Sequence, residues 1–132
     1  MRYVTAYLAA LILLVALDFA FLSLTGDSLY RSRIGEHLLP KPLLWAAAAF
    51  YLIYVAGIVF FAVDPALVSG SWTTALMRGA ILGFVAYGTY DLTNQALMRG
   101  WPLVITMADM SWGAALTGVV ATASYLAAAR FG

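Results

Sequence analysis

The chain has 132 residues, of which 64% are hydrophobic and 10% charged, with a mean hydropathy of +0.93. An ordinary soluble domain is about 25% charged, so this composition lacks the polar residues needed to cover a water-facing surface. A net charge of +1 gives no basis for a nucleic-acid partner. The absence of cysteine excludes disulfides, thiolate metal sites, thioether haem attachment and a cysteine nucleophile.

The predicted architecture is all-α: one integral-membrane four-helix bundle over residues 1–132 with short loops. A crossing needs about 20 residues, which leaves room for four spans. The first runs from about 3 to 24, with Ala-Leu-Ile-Leu-Leu-Val-Ala-Leu ahead of Asp18. Its apolar stretch outlasts a signal-peptide core and no small-x-small cleavage site follows, so it reads as a retained helix. The connection to Pro42 places Leu29, Tyr30, Ile34 and Leu38 at helical spacing among Arg31, Arg33 and Glu36, with Asp27 or Ser28 as the cap. It is expected to be an amphipathic helix lying in the interface, either a lid or a plain connector, with His37 an interfacial residue. The second span covers about 43 to 63, and Asp64-Pro65 is expected to stop it. The third covers about 72 to 98, Arg99-Gly100-Trp101-Pro102 makes a tight turn, and the fourth runs from about 103 to 129. Trp72 and Trp101 read as interfacial belt residues, and Arg78 and Arg130 as snorkelling cations.

Three acids interrupt these apolar stretches: Asp18, Asp91 and Asp109. A charged acid at the centre of a lipid-facing helix costs roughly 2.5–3.5 kcal/mol, so such residues usually face a bundle interior. Asp18 lies six or seven residues before its helix ends, Asp91 seven before, and Asp109 about six after its helix begins. Odd helices end and even helices begin on the same face. At 1.5 Å per residue, all three acids are expected about 10 Å below that face, and their carboxyl groups should converge. Tyr87, Asp91, Asn94 and Gln95 align on one stripe, with Gly79 and Gly83 as a small-xxx-small pair beside it. Trp112 and Gly113 neighbour Asp109 on its helix. The candidate site is therefore Asp91, Asp18 and Asp109 as acid or base, with Tyr87, Tyr90, Asn94, Trp112 and Arg99 holding a ligand.

Tyr90-Asp91-Leu92-Thr93-Asn94, followed by Gly100-Trp101-Pro102 and by Asp109 with Trp112-Gly113, resembles the bacterial membrane-protein family termed domain of unknown function 2177. The pattern extends across nearly the whole chain, including the early aspartate of the first helix. The resemblance implies a small multi-pass protein of the bacterial inner membrane and carries no established activity.

Three readings follow. The first is a one-sided polar pocket that binds, or acts on, a lipid or small amphiphile; proton transfer would suit its buried carboxyls. The second is a proton-coupled or cation transporter working as a homo-oligomer. The third is a structural or assembly subunit of a membrane complex. Interhelical hydrogen bonding alone would give the acids a purely architectural role. No cofactor or resident metal is called for, although three converging carboxylates would suit a hard divalent cation. Four basic residues on the acid-layer face, Arg31, Arg33, Lys41 and Arg99, against Arg2, Arg78 and Arg130 opposite, lean towards a cytoplasmic acid face.

Overall fold

A computed structural model of the chain describes residues 1–26, 33 and 43–132. The described residues form four long helices and no strand: α1 (Arg2–Thr25), α2 (Leu44–Ser69), α3 (Trp72–Leu97) and α4 (Leu103–Phe131). The expected amphipathic helix, with Asp27, Ser28, Leu29, Tyr30, Arg31, Ile34, Glu36, His37, Leu38 and Lys41, lies outside the described residues. Helices α1, α2 and α4 are long and apolar enough to cross a membrane. Helix α3 is long enough, at 26 residues, but falls short in apolarity because it carries Arg78, Asp91, Asn94 and Gln95.

The bundle is held by small residues inside and large apolar ones outside. Ala6, Ala10 and Leu14 recur every four residues and bury one stripe of α1 against α4 and α2. The Ser124 hydroxyl donates to the Ala6 carbonyl at 2.7 Å, so a helix surface of alanine and serine lets the two backbones come close. Leu8, Ile12, Phe19, Ile53, Phe60 and Leu126 point outward. An apolar exterior of this extent calls for apolar surroundings.

Helices α3 and α4 form the closest pair, and glycine makes their approach achievable. A Cβ on Gly83 would stand 2.0 Å from the Gly113 carbonyl oxygen, and one on Gly79 would stand 2.7 Å from that of Thr117. These contacts fix an antiparallel register, 79 opposite 117 and 83 opposite 113. One helical turn further on, that register sets Tyr87 level with Asp109.

The structure corrects one helix boundary. Asp64-Pro65 does not stop α2, which continues to Ser69. A π-helical turn over Val59–Val63 precedes the proline, with the Asp64 N–H bonded five residues back to Val59. This wider turn accommodates a ring that lacks an N–H and would crowd an α-helical carbonyl. Asp64 is also more than a helix-end residue: its Oδ1 accepts a 2.6 Å hydrogen bond from the Tyr3 hydroxyl on α1.

The stop comes instead at Gly70, whose φ of 70° is left-handed and whose N–H bonds to Ala66 at 2.7 Å. No atom lies within 4 Å of a Cβ built there, so the cost of a side chain is backbone strain alone. Gly70→Ala is expected to lower stability by about 1 kcal/mol, read by thermal unfolding in detergent.

Candidate functional site

The site occupies the half of the bundle where α1 and α3 end and α2 and α4 begin. Its centre is Asp91. Small residues at Ala75, Gly79 and Gly83 share a four-residue row with Tyr87 and Asp91, so the stripe that presses α3 onto α4 carries the acid inward. Asp91 is fully buried, at 0% exposure, and neither carboxyl oxygen meets a hydrogen-bond donor among the described residues. The group that faces it is the carboxyl of Asp109. Two carboxyl groups can share a hydrogen bond only when one carries a proton. The pair therefore needs a positive or donating partner: that proton, or a ligand.

Asp109 also lines a cavity of about 280 Å³ with Phe50, Ala86, Tyr87 and Tyr90. Phe50 comes from α2 and the others from α3 and α4, so the opening lies between helices. The Tyr87 ring rests on Gly113, where a Cβ would come within 2.4 Å of it, and this contact sets the cavity's inner wall. The Tyr87 hydroxyl makes no hydrogen bond among the described residues. Tyr90 is more than half exposed and meets the Trp101 ring edge-on at 5.9 Å.

Asp18 departs from the expected convergence. Its Oδ2 accepts from the Tyr51 hydroxyl at 2.5 Å and its Oδ1 from Trp112 Nε1 at 3.2 Å. Phe21 stacks on Trp112 at 4.2 Å with the rings 7° from parallel. The carboxylate thus ties α1 to α2 and α4, with both oxygens occupied. Tyr87 stands between the two acid centres, within electrostatic reach of Asp18 and Asp109. The acid layer is therefore a pair plus a bridged third member. Among the described residues, no three acids or histidines gather as metal ligands, so the tricarboxylate cation cage does not form. Tyr51→Phe removes one of the two bonds to Asp18 and is expected to cost about 1–3 kcal/mol in thermal unfolding, as for hydrogen bonds to charged groups.

Other expected site residues also take different places. Trp112 is committed to Asp18 and does not line the cavity. Asn94 lies beside the Tyr90 hydroxyl, outside the cavity wall. Arg99 is exposed on the turn and pairs with none of the three acids. Trp101 is not a belt residue: it is 5% exposed, and its Nε1 donates to Thr106 Oγ1 at 3.2 Å. Thr106 in turn donates to Gln95 Oε1 at 2.8 Å, and Gln95 Nε2 donates to the Trp101 carbonyl at 2.8 Å. This closed ring of bonds clamps the α3–α4 turn and holds Asp91 opposite Asp109.

The sequence reading missed Phe50, Tyr51, Tyr54, Ala86, Thr106 and Thr117. Tyr54 shares a 2.7 Å hydrogen bond with Thr117 in the core. A signal for part of this was present. Phe50-Tyr51 and Tyr54 interrupt a run of alanine and aliphatic residues in α2, and a tyrosine in an apolar helix needs a partner for its hydroxyl.

An all-helical bundle with an apolar exterior and polar side chains turned inward is the build of a small membrane protein. The chain belongs to the DUF2177 family of predicted membrane proteins, which it matches over residues 3–126. No curated protein and no solved structure matches it.

Proposed function

We propose that this is a multi-pass protein of the bacterial inner membrane whose one-sided pocket takes up a lipid or small amphiphile, polar end first. The observation that carries this reading is Asp91, fully buried with both oxygens unpaired, backing an acid that lines an aromatic cavity. An unpaired buried acceptor costs about 1–3 kcal/mol, a cost that bundle assembly does not require. A ligand donor entering beside Asp109 would offset it, while Phe50 and Tyr90 flank the apolar portion at the mouth. Helix α3 would cross with its neighbours because α4 covers its buried stripe, including Asp91.

Transport gains less support. Asp64, on the opposite face, is engaged by Tyr3 at 2.6 Å, far from the acid pair. A structural or assembly role would leave the unpaired acid unexplained.

The test is extraction in mild detergent followed by analysis of retained lipids. Wild-type protein should carry a specific amphiphile, and Ala86→Trp, which fills the cavity from its wall, should lose it while remaining folded. Equal retention by both proteins would refute the pocket.

A further inference from the structure

We infer that the polar end of the ligand is a protonated primary or secondary amine, held between the Asp109 carboxyl and the aromatic faces of Tyr87, Tyr90 and Phe50. The inference rests on the pocket reading above and specifies its ligand class. Three independent features converge on it.

The first is the supply of acceptors. Asp91 and Asp109 present four carboxyl oxygens to one another, and the two on Asp91 meet no donor among the described residues. A primary ammonium brings three N–H donors on one charged centre, a hydroxyl brings one, and a quaternary ammonium brings none. Phosphate and carboxylate head groups would be repelled by both acids. The second is the wall. Three of the five described lining residues are aromatic, Phe50, Tyr87 and Tyr90, and the only charged one is Asp109. An aromatic face beside a carboxylate favours a cation by its ring quadrupole, most strongly where water is excluded. The third is size. About 280 Å³ is at the lower limit for a small-molecule pocket. It holds an ammonium group and the first few carbons of a chain, and the remainder would leave between Phe50 and Tyr90, both exposed at the mouth.

The arrangement also explains why two acids serve where one would pair with an ammonium. Asp109 presents the charge to the cavity. Asp91, behind it, keeps that charge from being satisfied by the helix itself and accepts the donors that Asp109 cannot.

The chemistry has two sources: a membrane lipid with a primary-amine head group, or a free amphiphilic amine. The test is calorimetric titration of the full-length protein in phosphatidylcholine nanodiscs, with empty nanodiscs subtracted. The probes are octylamine, octanol and octyltrimethylammonium. Octylamine is expected to bind about tenfold or more tighter than either of the others, and to lose that advantage in Asp91→Asn and in Asp109→Asn. Two variants are used so that a folding defect in one leaves the other informative. Octanol binding as tightly as octylamine would overturn the amine assignment and leave the amphiphile pocket standing. Octyltrimethylammonium binding as tightly would overturn the requirement for N–H donors. Absence of binding by all three probes would overturn the amine assignment. If wild-type protein also retained no amphiphile on extraction, the pocket itself would fail. Replacing part of the phosphatidylcholine by phosphatidylethanolamine then separates the sources. Weakened octylamine binding identifies a membrane lipid, and unchanged binding identifies a free amine; both results support the ammonium class.

Discussion

Gly83→Ala is expected to destabilise the protein severely, by about 3 kcal/mol or more, as overpacking does when no neighbour can move aside. The added methyl would stand 2.0 Å from the Gly113 carbonyl oxygen and 2.7 Å from the Thr117 hydroxyl. The first of these is backbone in the middle of a helix, so relief requires α3 and α4 to separate. Separation would also lift Tyr87 from Gly113 and move Asp91 away from Asp109. The matched control is Gly57→Ala in α2, where nothing lies within 4 Å of the new carbon. In a helix interior, that change should be neutral or stabilising by up to about 1 kcal/mol. Thermal unfolding of both variants in the same detergent gives the comparison. A mild Gly83→Ala, with a midpoint near that of Gly57→Ala, would show that the helices are not in backbone contact there.

Asp91→Asn is expected to have the opposite profile, keeping or raising stability while abolishing ligand binding. The amide is nearly isosteric with the acid, so packing around the buried site is preserved. Its NH2 supplies a donor towards Asp109, which the carboxyl pair lacks, and it removes one member of a pair that cannot ionise together without cost. The gain should be up to about 1 kcal/mol in thermal unfolding. A buried group whose replacement stabilises the fold while removing binding is kept for function at the expense of stability. Marked loss of stability in Asp91→Asn would instead give the acid an architectural role, as Asp18 has through Tyr51 and Trp112.

Much of the architecture was legible in the sequence, because apolar runs, the Arg99-Gly100-Trp101-Pro102 turn and helical spacing are local properties of the chain. The inward face of α3 was legible for the same reason: Gly79, Gly83, Tyr87 and Asp91 fall on one stripe whatever packs against it. Partner choice was not legible. Depth along a helix places Asp18 level with the other acids, but depth says nothing about direction around the axis. Tyr51, which claims the carboxylate, stands on a helix thirty-three residues away. Trp101 was misread because a tryptophan beside a turn resembles a belt residue until its Nε1 is seen donating to Thr106. The extension of α2 past Pro65 needed a π-helical turn, and no side-chain pattern in Val59–Val63 announces one.

The account's central claim is that the Asp91–Asp109 pair receives the polar end of a bound amphiphile. Native mass spectrometry of gently extracted wild-type and Asp91→Asn proteins tests it most directly, since one spectrum reports both the assembly state and any retained mass. The account predicts a discrete ligand mass on the wild-type protein and its loss from an Asp91→Asn protein of unchanged assembly state. The same ligand mass on both proteins, or none on the wild type, would contradict it.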